Sequence, residues 1–257
     1  MTQYITYTLF DPTGNITALV ETPVAIPDQP HVAKAIMQAE PLCEQVGFLS
    51  FPNPDGIALR MAGGEFCGNA TMSTAVFYAL RHGISIGNIA VTASGADGPV
   101  SVAVEQNADQ SYCATVSMPS PLSVKEEFLP DCGNLPVVRF DGIAHVIVKQ
   151  KFEPAKAEAL APIWCRALDA SAIGMMFFDD LHSALTPLVY VPAADTLCWE
   201  NSCASGTTAV GAYLTHCAKP PLSASLRQPG GTLTVTVLQE DNYSLTGTVK
   251  KIDTKTL

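Results

Sequence analysis

Cys67-Gly-Asn-Ala-Thr71-Met-Ser-Thr-Ala-Val-Phe77 can be laid on Cys203-Ala-Ser-Gly-Thr207-Thr-Ala-Val-Gly-Ala-Tyr213. Cysteine meets cysteine, threonine meets threonine four residues on, and an aromatic meets an aromatic ten residues on. Small residues fill most positions between. The first stretch reads as a helix from about Gly68 to Arg81, stopped by His82-Gly83, and the second as a helix from about Ala204 to Cys217.

A second echo precedes each helix. Phe140-Asp141-Gly142-Ile143-Ala144-His145-Val146 resembles Phe10-Asp11 followed by Gly14-Asn15-Ile16-Thr17-Ala18, and each cysteine lies about 60 residues after its Phe-Asp pair. Two echoes in one order argue for an internal duplication. Short strands are expected around both helices: Tyr4 to Phe10, Ile16 to Val20, Gly47 to Phe51, Ile57 to Met61, Asn88 to Ser94, Val100 to Val104 and Tyr112 to Met118 in the first half. Pro52-Asn53-Pro54-Asp55-Gly56 reads as a hairpin loop. In the second half, a helix is expected over Glu153 to Leu168. Strands are expected at Gly174 to Phe178, Leu188 to Val191, Leu222 to Leu226, Leu233 to Leu238 and Ser244 to Val249. The proline-rich stretch 119–135 reads as a linker between lobes 1–118 and 136–257. The expected class is α+β: two pseudo-symmetric lobes, each a barrel-like, mostly antiparallel sheet around a central helix, facing each other so that the two helix starts meet at one cleft.

Composition narrows the function. Of 257 residues, 47% are apolar and 15% charged, which predicts packed cores. The formal net charge of −10 and the lack of a basic run disfavour nucleic acid as a partner. No run of 18 apolar residues suggests a membrane span, and Met1 to Phe10 carries no basic start of a signal peptide, so a cytoplasmic location is expected. The eight cysteines contain no Cys-x-x-Cys pair. Most of them read as small buried hydrophobes, and Cys198, Cys203, His216 and Cys217 match no zinc spacing, so no metal is expected.

Cys67 and Cys203 are different because each opens a helix. A helix start presents unpaired N–H groups and positive potential, which favour a thiolate and bind carboxylates. Gly68 and Ala204 let a ligand approach the backbone closely. Two such ends can hold the α-carboxylate of an amino acid between two sulfurs. One thiolate then removes the α-proton from one face and the other thiol protonates the opposite face. The N–H groups stabilise charge developing on the carboxylate. No cofactor is needed.

Gly63-Gly64-Glu65-Phe66-Cys67-Gly68-Asn69-Ala70 and Glu200-Asn201-Ser202-Cys203-Ala204-Ser205-Gly206-Thr207 resemble the two catalytic segments of the diaminopimelate epimerase superfamily of cofactor-independent racemases. The resemblance covers nearly the whole chain. The Gly-Gly-Glu-Phe-Cys-Gly-Asn form is most similar to histidine racemases of opine-metallophore biosynthesis, which implies histidine as substrate. It implies Cys67 and Cys203 as the catalytic pair. Asn15, Glu65, Gly68, Asn69, His145, Glu200, Ala204 and Ser205 are then the substrate-binding candidates. A homodimer is the expected assembly. Tyr190 to Asn201 contains no arginine, and Cys-Ala-Ser-Gly replaces the Cys-Gly-Thr-Gly of diaminopimelate epimerases, which points away from diaminopimelate. The rival readings are a PhzF-like isomerase with Glu65 as base, a proline-type racemase, and a non-catalytic amino-acid-binding protein. His145 lies in an apolar run and reads equally as a core histidine.

Overall fold

α2 (Gly68–His82) and α4 (Ala204–Ala218) are the helices around which the strands are wrapped. The computed structural model describes residues 4–53, 56–194, 196–239 and 241–257. α2 is buried from Gly68 through Phe77 and α4 along most of its length, yet both are rich in hydroxyl side chains. Those hydroxyls are satisfied inside the helices. Thr71 Oγ1 donates to Cys67 O (2.7 Å), Ser73 to Asn69 O (3.0 Å) and Thr74 to Ala70 O (2.8 Å). Thr207 Oγ1 donates to Cys203 O (2.7 Å) and Thr208 Oγ1 to Ala204 O (2.9 Å). Back-bonded hydroxyls add no unpaired polar group to the core, and small side chains let strands lie close. A Cβ on Gly211 would sit 2.6 Å from Val235 Cγ2. α2 ends at Gly83 in the left-handed conformation, φ 66°, as its sequence predicts.

The chain divides into two compact units, one running to Ser117 and adding Thr246–Leu257, the other Met118–Leu245. In the first, β1 (Thr6–Pro12), β2 (Thr17–Val20), β3 (Gln45–Ser50), β4 (Ile57–Met61), β5 (Ile86–Ala93), β6 (Pro99–Gln106) and β7 (Tyr112–Met118) follow one another across the sheet. The last strand, β16 (Asn242–Thr256), lies beside β7 and pairs back on β1, closing an eight-stranded barrel. β2/β3 and β4/β5 are parallel, and each such pair needs a crossover. α1 (Gln29–Ala39) supplies the first and α2 the second. Inward alternation is plain in β6, where Val100, Val102 and Val104 are buried between exposed neighbours. β2 is buried on both faces, because Ala33 and Ile36 of α1 cover its outer side in a cluster with Tyr7, Leu9, Ala18, Val20 and Phe48.

The second unit likewise carries two crossover helices, with three strands before the first of them where the first unit has two. β8 (Ser123–Leu129), β9 (Gly133–Phe140), β10 (Ile143–Val148), β11 (Ile173–Asp179), β12 (Ala184–Val191), β14 (Leu222–Gln228) and β15 (Gly231–Gln239) form its sheet, with β13 (Thr196–Trp199) beside β12. The parallel pairs are β10/β11, crossed by α3 (Pro154–Ala167), and β12/β14, crossed by α4. Trp164 of α3 is fully buried on the outer face among Val146, Val148 and Met175, and its Nε1 donates to Pro130 O at 3.0 Å.

Several expectations need revision. Residues 119–135 are not a bare linker. They hold β8 and the start of β9, because a polar alternating strand with prolines only at its flanks can sit on a sheet edge. Residues 246–257, assigned above to the second lobe, belong to the first unit. α1 was missed because Pro23, Pro27 and Pro30 obscure its Val32, Ala33, Ile36 periodicity. Pro54 and Asp55 of the hairpin loop lie outside the described residues. No helix among the described residues is long and apolar enough to cross a membrane.

Candidate functional site

Each central helix is capped by its cysteine. Cys67 is the N-cap of α2 with extended backbone (φ −133°, ψ 113°), and its Sγ accepts from Ala70 N at 3.4 Å. Cys203 caps α4 with nearly the same angles (φ −126°, ψ 111°), and its Sγ accepts from Gly206 N at 3.4 Å. An N-cap normally offers a side-chain oxygen to the third helical N–H. Here sulfur takes that place in both units, beside the first helical residues Gly68-Asn69 and Ala204-Ser205.

Around Cys67, the Sγ donates to Gln45 Oε1 at 2.5 Å. Gln45 opens β3 beside Glu44, and Glu44 Oε2 accepts from Asn15 Nδ2 at 2.7 Å. Asn15, buried in the β1–β2 connection, therefore belongs to the Cys67 neighbourhood, as do Gly68 and Asn69. Glu65 is exposed and its carboxylate folds over Gly63, while its carbonyl accepts from Ser94 Oγ at 2.8 Å.

Around Cys203, the neighbours are Glu200, whose side chain hydrogen-bonds the thiol, and Ser205, whose Oγ lies 3.6 Å from Sγ. Burial pushes the Cys203 thiol well above the ordinary range, and the Glu200 charge adds to this. Ser205 and the Gly206 N–H act in the opposite direction but are outweighed. A helix start by itself favours a thiolate, but desolvation outweighs it at Cys203.

His145 lies on β10 opposite Gly174 of β11. A Cβ on Gly174 would collide with His145 Nδ1, and one on Gly206 would collide with Met176 Sδ and lie 3.2 Å from Cys203 Sγ. The contacts thus run from His145 past Gly174 and Met176 to the first turn of α4. His145 is 0% exposed, neither ring nitrogen has a hydrogen-bond partner among the described residues, and burial pushes its pKa down to about 3. Because this folded value lies below the unfolded one, protons bind preferentially to the unfolded chain as pH falls from 6.5 toward 3. Stability is lost across that window with a slope approaching about 1.4 kcal/mol per pH unit. His145→Leu should remove this part of the slope, read as urea midpoints at pH 6.5, 5.5 and 4.5. An unchanged slope would mean that the native imidazole takes up protons.

Gln45, Gln228, Ser94, Gly174 and Met176 escaped the sequence reading. Each is distant in sequence from the cysteine segment it serves, and no local motif marks it. All eight cysteines are free thiols, and no group of three or more metal-ligating side chains occurs among the described residues.

Residues 4–252 match the family model described as histidine racemase CntK N-terminal domain. A histidine racemase of Fusobacterium nucleatum subsp. nucleatum is 34% identical over 259 residues, covering 97% of this chain and 95% of its own. A histidine racemase of Staphylococcus aureus (strain Mu50) is 32% identical over 248 residues, covering 91% and 89%. Among solved structures, a hydroxyproline epimerase from Agrobacterium vitis superposes with a TM-score of 0.73 at 13% identity, covering 100% of this chain and 93% of that one. That likeness concerns the fold, which is shared with proline-racemase-type enzymes rather than being specific to diaminopimelate epimerases. By sequence, the chain belongs to the histidine racemase CntK family and is an amino-acid racemase, an isomerase.

Proposed function

We propose that the protein racemises histidine without a cofactor, using Cys67 and Cys203 as the two acid/base groups, and that its two units are pseudo-symmetric copies of one lobe. The carrying observation is the repeated cap: two buried helices, each opened by a cysteine whose sulfur accepts the third helical N–H. In the reactive state one sulfur is thiolate and the other thiol. The thiolate takes the α-proton, the electron pair passes onto the carboxylate, and N–H groups of Gly68, Asn69, Ala204 and Ser205 stabilise it. The other thiol returns a proton to the opposite face, so the sulfurs end with exchanged protonation states. A thiolate gains nucleophilic basicity from a dry site, which suits a weakly acidic α-proton.

Glu200 and Gln45 support this by giving each thiol a hydrogen-bond acceptor. Asn15 and His145 are the proposed contacts to the substrate's polar groups; an unpartnered buried imidazole is the kind of group a ligand satisfies. The exposure of Glu65 counts against the carboxylate-base alternative, since a base for an α-proton works best out of water. The reading also places the enzyme in the cytoplasm as a homodimer.

In deuterium oxide, reduced protein and L-histidine should give D-histidine carrying deuterium at the α-carbon, while unreacted L-histidine stays mostly protiated early on. Dialysis against a chelator and treatment with hydroxylamine should leave the rate unchanged. Absence of α-exchange with histidine and with every other free amino acid would end the racemase reading, and loss with a chelator would point to a metal.

A further inference from the structure

Gln228 is the last residue of β14 and is buried against the start of α4, on the far side of the sequence from any motif. Its Oε1 accepts the backbone N–H of Cys203 at 2.9 Å. Its Nε2 donates to Thr207 Oγ1 at 2.8 Å. Thr207 Oγ1 in turn donates to the carbonyl of Cys203 at 2.7 Å. These three hydrogen bonds form a closed ring that begins and ends on the Cys203 backbone. The threonine has one hydroxyl proton, and it is committed to Cys203 O, so its oxygen is available to Gln228 only as an acceptor. That fixes which end of the amide faces which partner. Just beyond, Gly230 N donates to Asn201 O at 2.8 Å, so the β14–β15 turn also holds the peptide leading into Cys203.

The N–H of an N-cap residue has no acceptor in its own helix, and a buried one without a partner costs about 1–3 kcal/mol. Gln228 satisfies it with a side chain from a neighbouring strand. The first unit carries a related device in different residues. Ser94, directly after β5, accepts from Met61 N at 3.0 Å and donates to Glu65 O at 2.8 Å. It secures the approach to Cys67 at the preceding peptide.

We infer that Gln228 is a positioning residue for Cys203: with Thr207 it locks the Cys203 backbone so that the sulfur is held at a fixed place relative to the first turn of α4. This rests on the reading of Cys203 as one of the two acid/base groups. Sulfur placement matters to proton transfer more than to substrate binding, because a small misplacement at the reacting atom raises the barrier while leaving other contacts intact.

The test uses the whole reduced protein. Gln228→Met keeps the length of the side chain and removes both hydrogen bonds. Thr207→Val removes the other corner of the ring, and Thr207→Ser restores the hydroxyl. Gln228→Met and Thr207→Val should each lower kcat for histidine at least tenfold with KM changed less than threefold. Thr207→Ser should recover most of the Thr207→Val loss. The double variant Gln228→Met/Thr207→Val should be no worse than the poorer single one, since the ring is already open. Residue-resolved amide exchange should find the Cys203 N–H protected in the unaltered protein and at least tenfold faster in Gln228→Met, with the Thr71 N–H of α2 unchanged.

A wild-type kcat in Gln228→Met, additive losses, or an unprotected Cys203 amide in the unaltered protein would overturn the inference. The amide measurement needs no variant to fold and no activity. Racemisation surviving in Cys203→Ala would instead remove the acid/base reading, while the Cys203 amide would still report whether the ring exists.

Discussion

Cys67→Ala and Cys203→Ala should each lose racemisation of histidine by about 10³-fold or more, the scale of a positioned acid/base group, while keeping the melting temperature within a few degrees of the parent. Both positions are N-caps, and a sulfur–amide contact of 3.4 Å is a weak cap, so its removal costs little stability. What disappears is the group that handles one face of the α-carbon. Each variant should still exchange the α-proton of one enantiomer in deuterium oxide, using its remaining thiolate, and that enantiomer should differ between the two. Proton NMR of L- and D-histidine incubated separately with each variant reads this directly. Normal racemisation by either variant would sink the two-base account and return attention to Glu65.

The second large effect is expected at Gly95, which packs against the main chain just before Cys67. Gly95 follows β5 with φ +71°, a conformation costing an ordinary residue about 1–2 kcal/mol. A Cβ there would also collide with Phe66 N and come within 2.8 Å of Glu65 C, and main chain cannot rotate away as a side chain can. Gly95→Ala should therefore destabilise the protein by about 3 kcal/mol in all, a fall in Tm of roughly 6–12 °C, and lower kcat because the displaced peptide leads straight into Cys67. Gly95→Asn separates the two causes, since asparagine tolerates positive φ but carries the same Cβ. If Asn restores the parent stability, conformational strain dominates; the collision predicts that it does not. An alanine variant within 1 kcal/mol of the parent in urea unfolding would refute the close approach.

The residues that announced themselves in the sequence are those whose job is local. Cys67 and Cys203 sit at helix starts, and the small and hydroxyl residues after them are written for burial, so both α2 and α4 could be bounded to within about two residues. β4 and β7 were placed to the residue because a turn fixes one end and alternation fills the rest. Gln45, Ser94 and Gln228 stayed hidden because their partners lie 22, 29 and 25 positions away, and a lone glutamine or serine at a strand end has many bland explanations. The direction of the Cys203 shift was also beyond reach. A helix start is visible in sequence, but the burial that outweighs it depends on what the rest of the chain packs over the sulfur. The break at residue 118 lies within one residue of the boundary between the units, whereas the reading of 119–135 as a linker failed for a related reason. Composition marks prolines, but only pairing tells whether a proline-flanked stretch is a strand.

The membership of residues 246–257 in the first unit has a consequence for how the protein is made. The barrel strands β1 and β7 both wait for residues from Thr246 onward, which the ribosome delivers after Met118–Leu245. Everything from Met118 to Leu245 emerges earlier and contains a full set of partners for α4. During synthesis the later-encoded unit is therefore the first able to complete its core. The earlier-encoded one is left with two open strand edges, the condition under which a nascent chain is most exposed to mispairing.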